Sequence, residues 1–221
     1  MSEAMCRMAA QDGIEHIVAT PHSNDHYFYD REYLSTLLET LRQRIGPHPA
    51  FSLGCDFHLS VDNMQSALRT PEKFCINQGH YLLVEFSNLG ISPQVDDWFT
   101  RMRERGITPI ITHPERNPIL QQNPQRVVKW RELGCAVQVT ASVFTGFWGP
   151  RPRQIADWLL KEQVVHLLST DAHDTKRRVP VLSAAKRIVA KEFGEELAQA
   201  LVEGNPRAVV NDQPLPYFPQ S

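Results

Sequence analysis

The sequence predicts an α/β fold in which a parallel sheet closes into a TIM-like barrel of about six to seven strands. Three observations support this. Short runs rich in β-branched residues alternate with segments of helical spacing, the runs are almost continuously apolar, and Gly13, Gly106 and Gly134 each stand between a helix and the next strand. Strict alternation predicts parallel pairing, and continuous apolarity is typical of strands covered on both faces. Glycine at such a joint is the usual C-terminal cap of a helix.

The predicted elements follow one another without a linker or an internal repeat. Strands are predicted at residues 16–20, 50–54, 81–86, 108–112, 136–140 and 164–170. Helices are predicted at residues 1–11, 32–44, 95–105, 124–133, 154–161, 181–191 and 195–202. No glycine-rich nucleotide motif follows any strand, which favours the barrel over a doubly wound nucleotide-binding sheet. We therefore expect one domain over residues 1–212 and an unstructured, Pro-rich tail at 213–221.

Composition excludes several classes of protein. The 221 residues are 42% apolar and 22% charged, as in ordinary globular domains, and the net charge of -2 provides no basic field for nucleic acid or anionic membranes. No basic segment followed by an apolar stretch begins the sequence, and no run of 18 apolar residues occurs, so we expect a cytoplasmic protein without a membrane span. The four cysteines are widely spaced and are predicted to be free, buried thiols.

Ligand-type side chains stand where the predicted strands end. In βα barrels the active site is built at this face from the ends of several strands, so these side chains should converge. Each one alone has a plain structural explanation, but five strand ends with such residues indicate a polynuclear metal site. Mixed imidazole and carboxylate ligands suit manganese, iron or zinc better than calcium. The candidate ligands are His22, Asp56, Glu85, His113, Asp171 and His173.

Glu85 and three arginines add to this hypothesis. Glu85 lies within an apolar run, and burying an unpaired carboxylate costs several kcal/mol, so it needs a cation. The loops beyond two candidate ligands contain Arg116, Arg177 and Arg178, which are either solvated loop charges or an anion clamp. We favour the clamp for Arg116 and Arg178. Among the other histidines we expect structural roles for His16, His48, His80 and His166; His26 and His58 are undecided, although His58 should point away from the ligand set.

Five blocks of sequence resemble the polymerase-and-histidinol-phosphatase (PHP) superfamily, and within it the manganese-dependent bacterial tyrosine phosphatases of the CpsB/CapC and YwqE type. They are residues 17–22, 81–86, 108–117, 138–142 and 169–173. The resemblance implies a distorted PHP barrel with two or three Mn²⁺ ions, other divalent metals remaining possible. His22, Glu85, His113, Asp171 and His173 match ligand positions of the family. Arg116 and Arg178 match arginines that hold the phosphate.

The sequence departs from the family pattern at two places. The family has Glu where Asp56 stands, so a shorter side chain must reach the metals. The family also opens with a strand that bears an H-x-H pair followed by an Asp, and this strand is missing here, which leaves three of nine expected ligands absent. A mis-set start codon, a truncation or the loss of a catalytic centre would each explain this. We expect the chain to bind fewer metals than the intact family site.

The resemblance implies a metal-dependent phosphomonoesterase that hydrolyses protein phosphotyrosine in capsule or exopolysaccharide regulation. Its partner would be a phosphotyrosine protein such as a bacterial tyrosine kinase. Metals would lower the pKa of a water to generate the nucleophile. No H-C-x5-R sequence is present, which excludes a cysteinyl-phosphate mechanism. Two alternatives remain: a small-molecule phosphatase of the histidinol-phosphate type, and a catalytically impaired PHP-fold binding protein that docks a kinase.

Overall fold

A computed structural model of the chain describes residues 1–24 and 26–219, apart from the side chains of Val61 and Asp62. Its strands are β1 (His16–Ala19), β2 (His22–Ser23), β3 (Ala50–Leu53), β4 (Asp56–His58), β5 (Tyr81–Glu85), β6 (Thr108–Thr112), β7 (Ala136–Thr140) and β8 (Leu167–Ser169). Its α-helices are α1 (Ser2–Gln11), α2 (Arg31–Ile45), α3 (Val61–Arg69), α4 (Val95–Glu104), α5 (Pro118–Gln122), α6 (Gln125–Glu132), α7 (Pro150–Lys161), α8 (Ser183–Phe193), α9 (Glu195–Gln199) and α10 (Asn205–Val210). A π-helical turn, Ala200–Gly204, joins the last two helices.

The strands form a parallel array with six positions. A six-stranded sheet has the order β2-β4-β5-β6-β7-β8, and β1 pairs with β3 beside it. The first two predicted strands therefore each break and resume two residues later. The ladder continues across both breaks, since Gly54 N donates to Ala19 O at 2.9 Å and Asp56 N to Pro21 O at 3.0 Å. The predicted α/β fold with a parallel sheet is confirmed.

Pro21 and Gly54 lie at the two breaks. Pro21 has no N–H for a ladder and ends β1. At Gly54 an added Cβ would lie 2.8 Å from Cγ1 of Ile76, so any larger residue would push the Ile76 side chain aside. Both breaks precede candidate ligands, His22 and Asp56, which therefore start new short strands that pair with each other in register.

The sheet is curved, and its hydrogen-bonded ladder is interrupted by a seam between its last and first strands. Within residues 1–24 and 26–219, no hydrogen-bonded pairing joins β8 to β2. The rings of His22, on β2, and His173, just beyond β8, nevertheless have centroids 6.4 Å apart. A side chain of the first strand of the sheet thus lies beside the segment that follows the last strand, although no ladder among the described residues closes the barrel.

The central strands are buried on both faces, as their apolarity predicts. In β5, Leu82 and Val84 face a large cluster under the helices, whereas Tyr81 and Leu83 face a smaller one that also holds Ile110. Because side chains alternate along a strand, Glu85 lies on the same face as Tyr81 and Leu83. The smaller cluster is thus the interior of the array, and the candidate ligands form the layer above it.

The sequence patterns did not predict three of the helices, namely α3, α5 and α10.

The predicted unstructured tail needs a correction. Residues 213–219 contain neither helix nor strand, but they are not loose: Tyr217 N donates to Asn205 Oδ1 at 2.9 Å, and the ring of Phe218 lies 4.3 Å from that of His166. Apolar and amide contacts hold a segment that was expected to be unstructured. Gln220 and Ser221 lie outside the described residues.

Two smaller expectations concern the cysteines and the membrane. All four cysteines are buried and none is in a disulfide, as predicted. Among the residues that the structure describes, no helix combines the length and the apolarity that a membrane crossing needs.

Candidate metal centre

Three candidate ligands from neighbouring strands form the core of the site. His22 Nδ1 lies 3.3 Å from Asp56 Oδ2 and 3.4 Å from Glu85 Oε2. One potential ligand atom from each residue lies within 4.8 Å of the others. The register that pairs His22 with Asp56, on adjacent parallel strands, places these two side chains on one face. The first residues of β2 and β4 and the last residue of β5 thus present one imidazole and two carboxylates to a single point.

His113 joins this group from the end of β6. Its Nε2 lies 3.5 Å from Glu85 Oε1. Burial, and then the charge of Arg116, lower the pKa of His113 to about 4, so its imidazole is neutral and suited to metal ligation. His113 has φ 36° and Asp171 has φ 46°, left-handed conformations that are uncommon outside glycine. Strain of this kind persists where the surrounding structure needs a side chain in one direction.

The residues present fit a divalent cation. Asp56 is only 7% exposed, and its Oδ1 is buried without a hydrogen-bond partner among the described residues. Burial, and then the nearby Glu85 carboxylate, raise the pKa of Asp56 to about 7. A bound cation would satisfy the orphaned oxygen and offset the repulsion between the two carboxylates.

Asp171 and two arginines form the other side of the site. Oδ2 of Asp171 accepts hydrogen bonds from Arg116 Nη1 and Arg178 Nη2. Burial raises the pKa of Asp171, but the hydrogen bond and charge of Arg116 outweigh it, so the pKa is lowered overall. The Nε atoms of both arginines are buried and have no partner among the described residues. Two buried guanidinium N–H donors without an acceptor thus lie beside the candidate metal ligands.

His173 connects the two sides. Its Nδ1 lies 3.0 Å from the carbonyl oxygen of Asp171, and its half-exposed ring faces that of His22. The structure therefore brings all six candidate ligands to one mouth of the sheet, where Asp171 accepts hydrogen bonds from both arginines and His22, Asp56 and Glu85 form the closest group.

The segment after β6 has more roles than the sequence indicated. Glu115 is fully buried, and its Oε1 accepts the backbone N–H of Thr140 at 3.0 Å, which ties this segment to β7. Asn117 caps α5 by accepting from Ile119 N at 3.0 Å and donates to Ser87 O at 3.1 Å. These contacts hold in place the loop that carries His113 and Arg116.

Comparison with known proteins identifies the family. The sequence model of the family described as capsular polysaccharide synthesis, CpsB/CapC, matches residues 1–211. The chain belongs to the CpsB/CapC family.

Curated relatives and a solved structure agree with this. The chain is 28% identical to tyrosine-protein phosphatase YwqE of Bacillus subtilis, with 90% of this chain and 80% of YwqE covered. It is 26% identical to tyrosine-protein phosphatase CpsB of Streptococcus pneumoniae, with 96% and 90% covered. Crystal structures described as YwqE and CpsB, unique metal-dependent tyrosine phosphatases, match with a TM-score of 0.87 and 27% identity over 100% of this chain and 91% of the solved one.

The roles of three other histidines of this CpsB/CapC protein can be compared with those expected from the sequence. His16 bonds to Ser52 Oγ at 2.7 Å, and His80 pairs with Asp212 at 2.6 Å, which are structural roles as predicted. The strand register pairs His58 with Glu85 and so places it on the ligand face, whereas we expected it to point away. Counting the Asp56-x-His58 alternation would have revealed this.

Trp148 is a site residue that the sequence analysis missed. Its ring lies 4.0 Å from the Cζ atom of Arg116 and 5.6 Å from that of Arg178. No motif or spacing in the sequence signals this contact, because the loop that carries Trp148 reaches the arginines only in the folded chain.

Proposed function

We propose that this CpsB/CapC protein is a metal-dependent phosphomonoesterase that hydrolyses phosphotyrosine on proteins and acts in capsule or exopolysaccharide regulation. The observation that carries the proposal is the group of imidazoles and carboxylates beside two arginines with free buried Nε donors. The names of the curated relatives, tyrosine-protein phosphatases, support the substrate class.

The metal-binding role is proposed for His22, Asp56, Glu85, His113, Asp171 and His173, and Mn²⁺ is the proposed ion. A mixed set of imidazole and carboxylate donors suits manganese, iron or zinc better than calcium. A bound divalent cation supplies Lewis acidity, which lowers the pKa of a coordinated water and offsets phosphate charge. The strand ends fix the direction of each donor, so the chain itself contributes a preorganised group of ligands that includes three carboxylates.

The phosphate-binding role is proposed for Arg116 and Arg178. Guanidinium N–H groups match phosphate oxygens in geometry and add charge stabilisation where negative charge develops. Asp171 holds both guanidinium groups before the substrate arrives. Each guanidinium also keeps a buried Nε–H group that no acceptor among the described residues uses, in addition to the N–H group that donates to Asp171.

The remaining parts of the proposal concern context. We propose a single domain over residues 1–212, a cytoplasmic location, and a bacterial tyrosine kinase as the phosphoprotein partner. The net charge of -2 supports a protein rather than a nucleic-acid partner.

The test compares phosphate release from a phosphotyrosine peptide and from histidinol phosphate, with the protein treated with chelator or supplied with Mn²⁺. We expect turnover of the peptide that needs Mn²⁺. His113→Ala should lower metal content and turnover together by at least about tenfold, whereas Arg178→Ala should lower turnover with metal still bound. Equal rates with and without metal, or a preference for histidinol phosphate, would contradict the proposal.

A further inference from the structure

Trp148 lies against both phosphate-binding candidates. It belongs to the loop between β7 and α7, and its half-buried indole faces the guanidinium groups of Arg116 and Arg178, whose Cζ atoms lie 4.0 Å and 5.6 Å from the ring centroid. Both distances are within the range of attractive cation–π contacts. One aromatic ring therefore makes cation–π contacts with two guanidinium groups.

The indole is itself held in place. Its Nε1–H donates to Ser142 Oγ at 2.9 Å, and Ser142 follows the end of β7. That strand ends at Thr140, whose Oγ1 accepts from Arg116 Nη1 at 3.2 Å. The end of one strand thus fixes both the ring and one of the guanidinium groups that it contacts.

The charges around the arginines explain why such a ring is useful. Arg116 and Arg178 converge on one carboxylate oxygen of Asp171, so two positive charges share one negative partner. An aromatic face offers negative electrostatic potential without a further hydrogen-bond acceptor. The contact occupies no N–H group, so the Nε–H groups of both arginines stay without an acceptor among the described residues.

We propose that Trp148 is a positioning residue that orients Arg116 and Arg178 together for a tetrahedral phosphate. The inference rests on the proposed function, because it requires these arginines to bind the phosphate group. Trp148 acts through the arginines and is not assigned a contact with the substrate. Its removal leaves Arg178 with the shared carboxylate of Asp171, and Arg116 with that carboxylate and Thr140 Oγ1, so both guanidinium groups gain freedom to turn away from the phosphate.

The test measures the Kd of inorganic phosphate for the Mn²⁺-loaded protein by calorimetry, together with metal content, Tm, and KM and kcat for a phosphotyrosine peptide. Trp148→Leu should raise the phosphate Kd and the KM about fivefold to tenfold, with metal content unchanged. Trp148→Phe, which keeps an aromatic face but loses the Nε1 donor, should recover most of the affinity. Ser142→Ala should fall between Trp148→Phe and the parent.

Phe147→Leu is the matched control. Phe147 is the neighbouring aromatic residue, 40% exposed and edge-on to Trp148, and among the described residues it makes no cation–π contact with either arginine. It should leave the phosphate Kd unchanged. If Trp148→Leu and Trp148→Phe both bind phosphate like the parent while Arg178→Ala binds it weakly, the positioning role is wrong and the phosphate site stands. If Arg178→Ala also leaves the Kd unchanged, the arginine site of the proposed function fails, and the role of Trp148 fails with it.

Discussion

At the scale of single residues, Asp56 lowers the stability of the metal-free protein but offers a carboxylate that suits a metal ion. Its carboxylate is buried beside Glu85, with one oxygen unpartnered among the described atoms. We predict that Asp56→Asn stabilises the metal-free protein by about 1–2 kcal/mol, because it removes a buried charge that lacks a full partner. The same change should weaken Mn²⁺ binding at least tenfold, since an amide is a poorer ligand than a carboxylate.

Chemical denaturation of metal-free protein and a Mn²⁺ titration measure the two effects. Asp97→Asn is the matched control, because Asp97 is exposed and forms a loose surface pair with Arg101, at 3.9 Å. It should change stability by less than about 0.5 kcal/mol. A loss of metal-free stability in Asp56→Asn would contradict the argument.

His166 provides a pH dependence remote from the metal ligands. It is fully buried, its Nδ1 accepts from Val137 N at 3.0 Å, and burial, then the charge of Arg131, lower its pKa to about 3. The unfolded chain therefore binds a proton at His166 near pH 6.5, whereas the folded chain does not. The free energy of unfolding falls as the pH decreases from about 6.5 towards 3, by up to about 1.4 kcal/mol per pH unit.

We predict that His166→Gln removes this share of the acid sensitivity. Urea unfolding of the metal-free protein at pH 7.5, 6.5, 5.5 and 5.0 should give a shallower loss of unfolding free energy in the variant than in the parent. His26→Gln, at an exposed histidine, is the control and should keep the slope of the parent. Parallel slopes for parent and His166→Gln would show that another group causes the acid sensitivity.

How far single residues could be anticipated depended on whether their role is local. The ligand types at strand ends were visible because the end of a strand and the chemistry of its side chain are both local properties. Glu115 and Trp148 were missed as site residues because their contacts, to Thr140 N and to two guanidinium groups, arise only when distant loops pack together. The roles of the six candidate ligands remain predictions until metal binding is measured.

At the scale of elements, the central strands were anticipated well and several helices were not. Continuous apolarity marked β5 and β6 because both faces of these strands are covered. The missed α3 and α5 had a start signal that was overlooked: Ser60 accepts from Asn63 N, and Asn117 precedes Pro118 as an N-cap. Their short lengths provide too few apolar positions for a clear helical period.

One cap joins helices that are far apart in the chain. Asp12, just after α1, accepts hydrogen bonds from Leu182 N at 2.7 Å, Ser183 N at 2.9 Å and Ser183 Oγ at 2.6 Å at the start of α8. We predict that Asp12→Ala lowers the unfolding free energy by about 1–2 kcal/mol, because it leaves the first N–H groups of α8 without an acceptor.

Denaturant unfolding compares this variant with Asp30→Ala. Asp30 caps only its own helix, by accepting from Tyr33 N at 3.1 Å, so its loss should cost less. Asp12→Asn should recover part of the stability, and metal content should stay unchanged in all three variants. A smaller cost for Asp12→Ala than for Asp30→Ala would refute the long-range cap.

At the scale of the whole molecule, parallel strands direct their carboxyl ends to one mouth, and this is why a sequence alone could indicate a shared site. What it could not supply is the curvature and the seam. Nor could it supply the two breaks, at Pro21 and Gly54, that divide the first two predicted strands. The same geometry concentrates the carboxylates of Asp56, Glu85 and Asp171 at the mouth.

This concentration of negative charge predicts that metal binding stabilises the whole fold. A ligand that binds only the folded state adds about 2.7 kcal/mol at a concentration of 100 times its Kd, and a domain of this size gains about 2–4 °C in Tm per kcal/mol. Mn²⁺ should therefore raise the Tm of the chelator-treated protein by roughly 5–10 °C in a scanning experiment. Glu85→Gln, nearly identical in shape, should lose most of this rise because the donor that bridges His22 and His113 loses its charge. Arg178→Ala should keep it, since Arg178 contributes positive charge and no ligand. An equal rise in the parent and in Glu85→Gln would place the stabilising ion elsewhere on the protein.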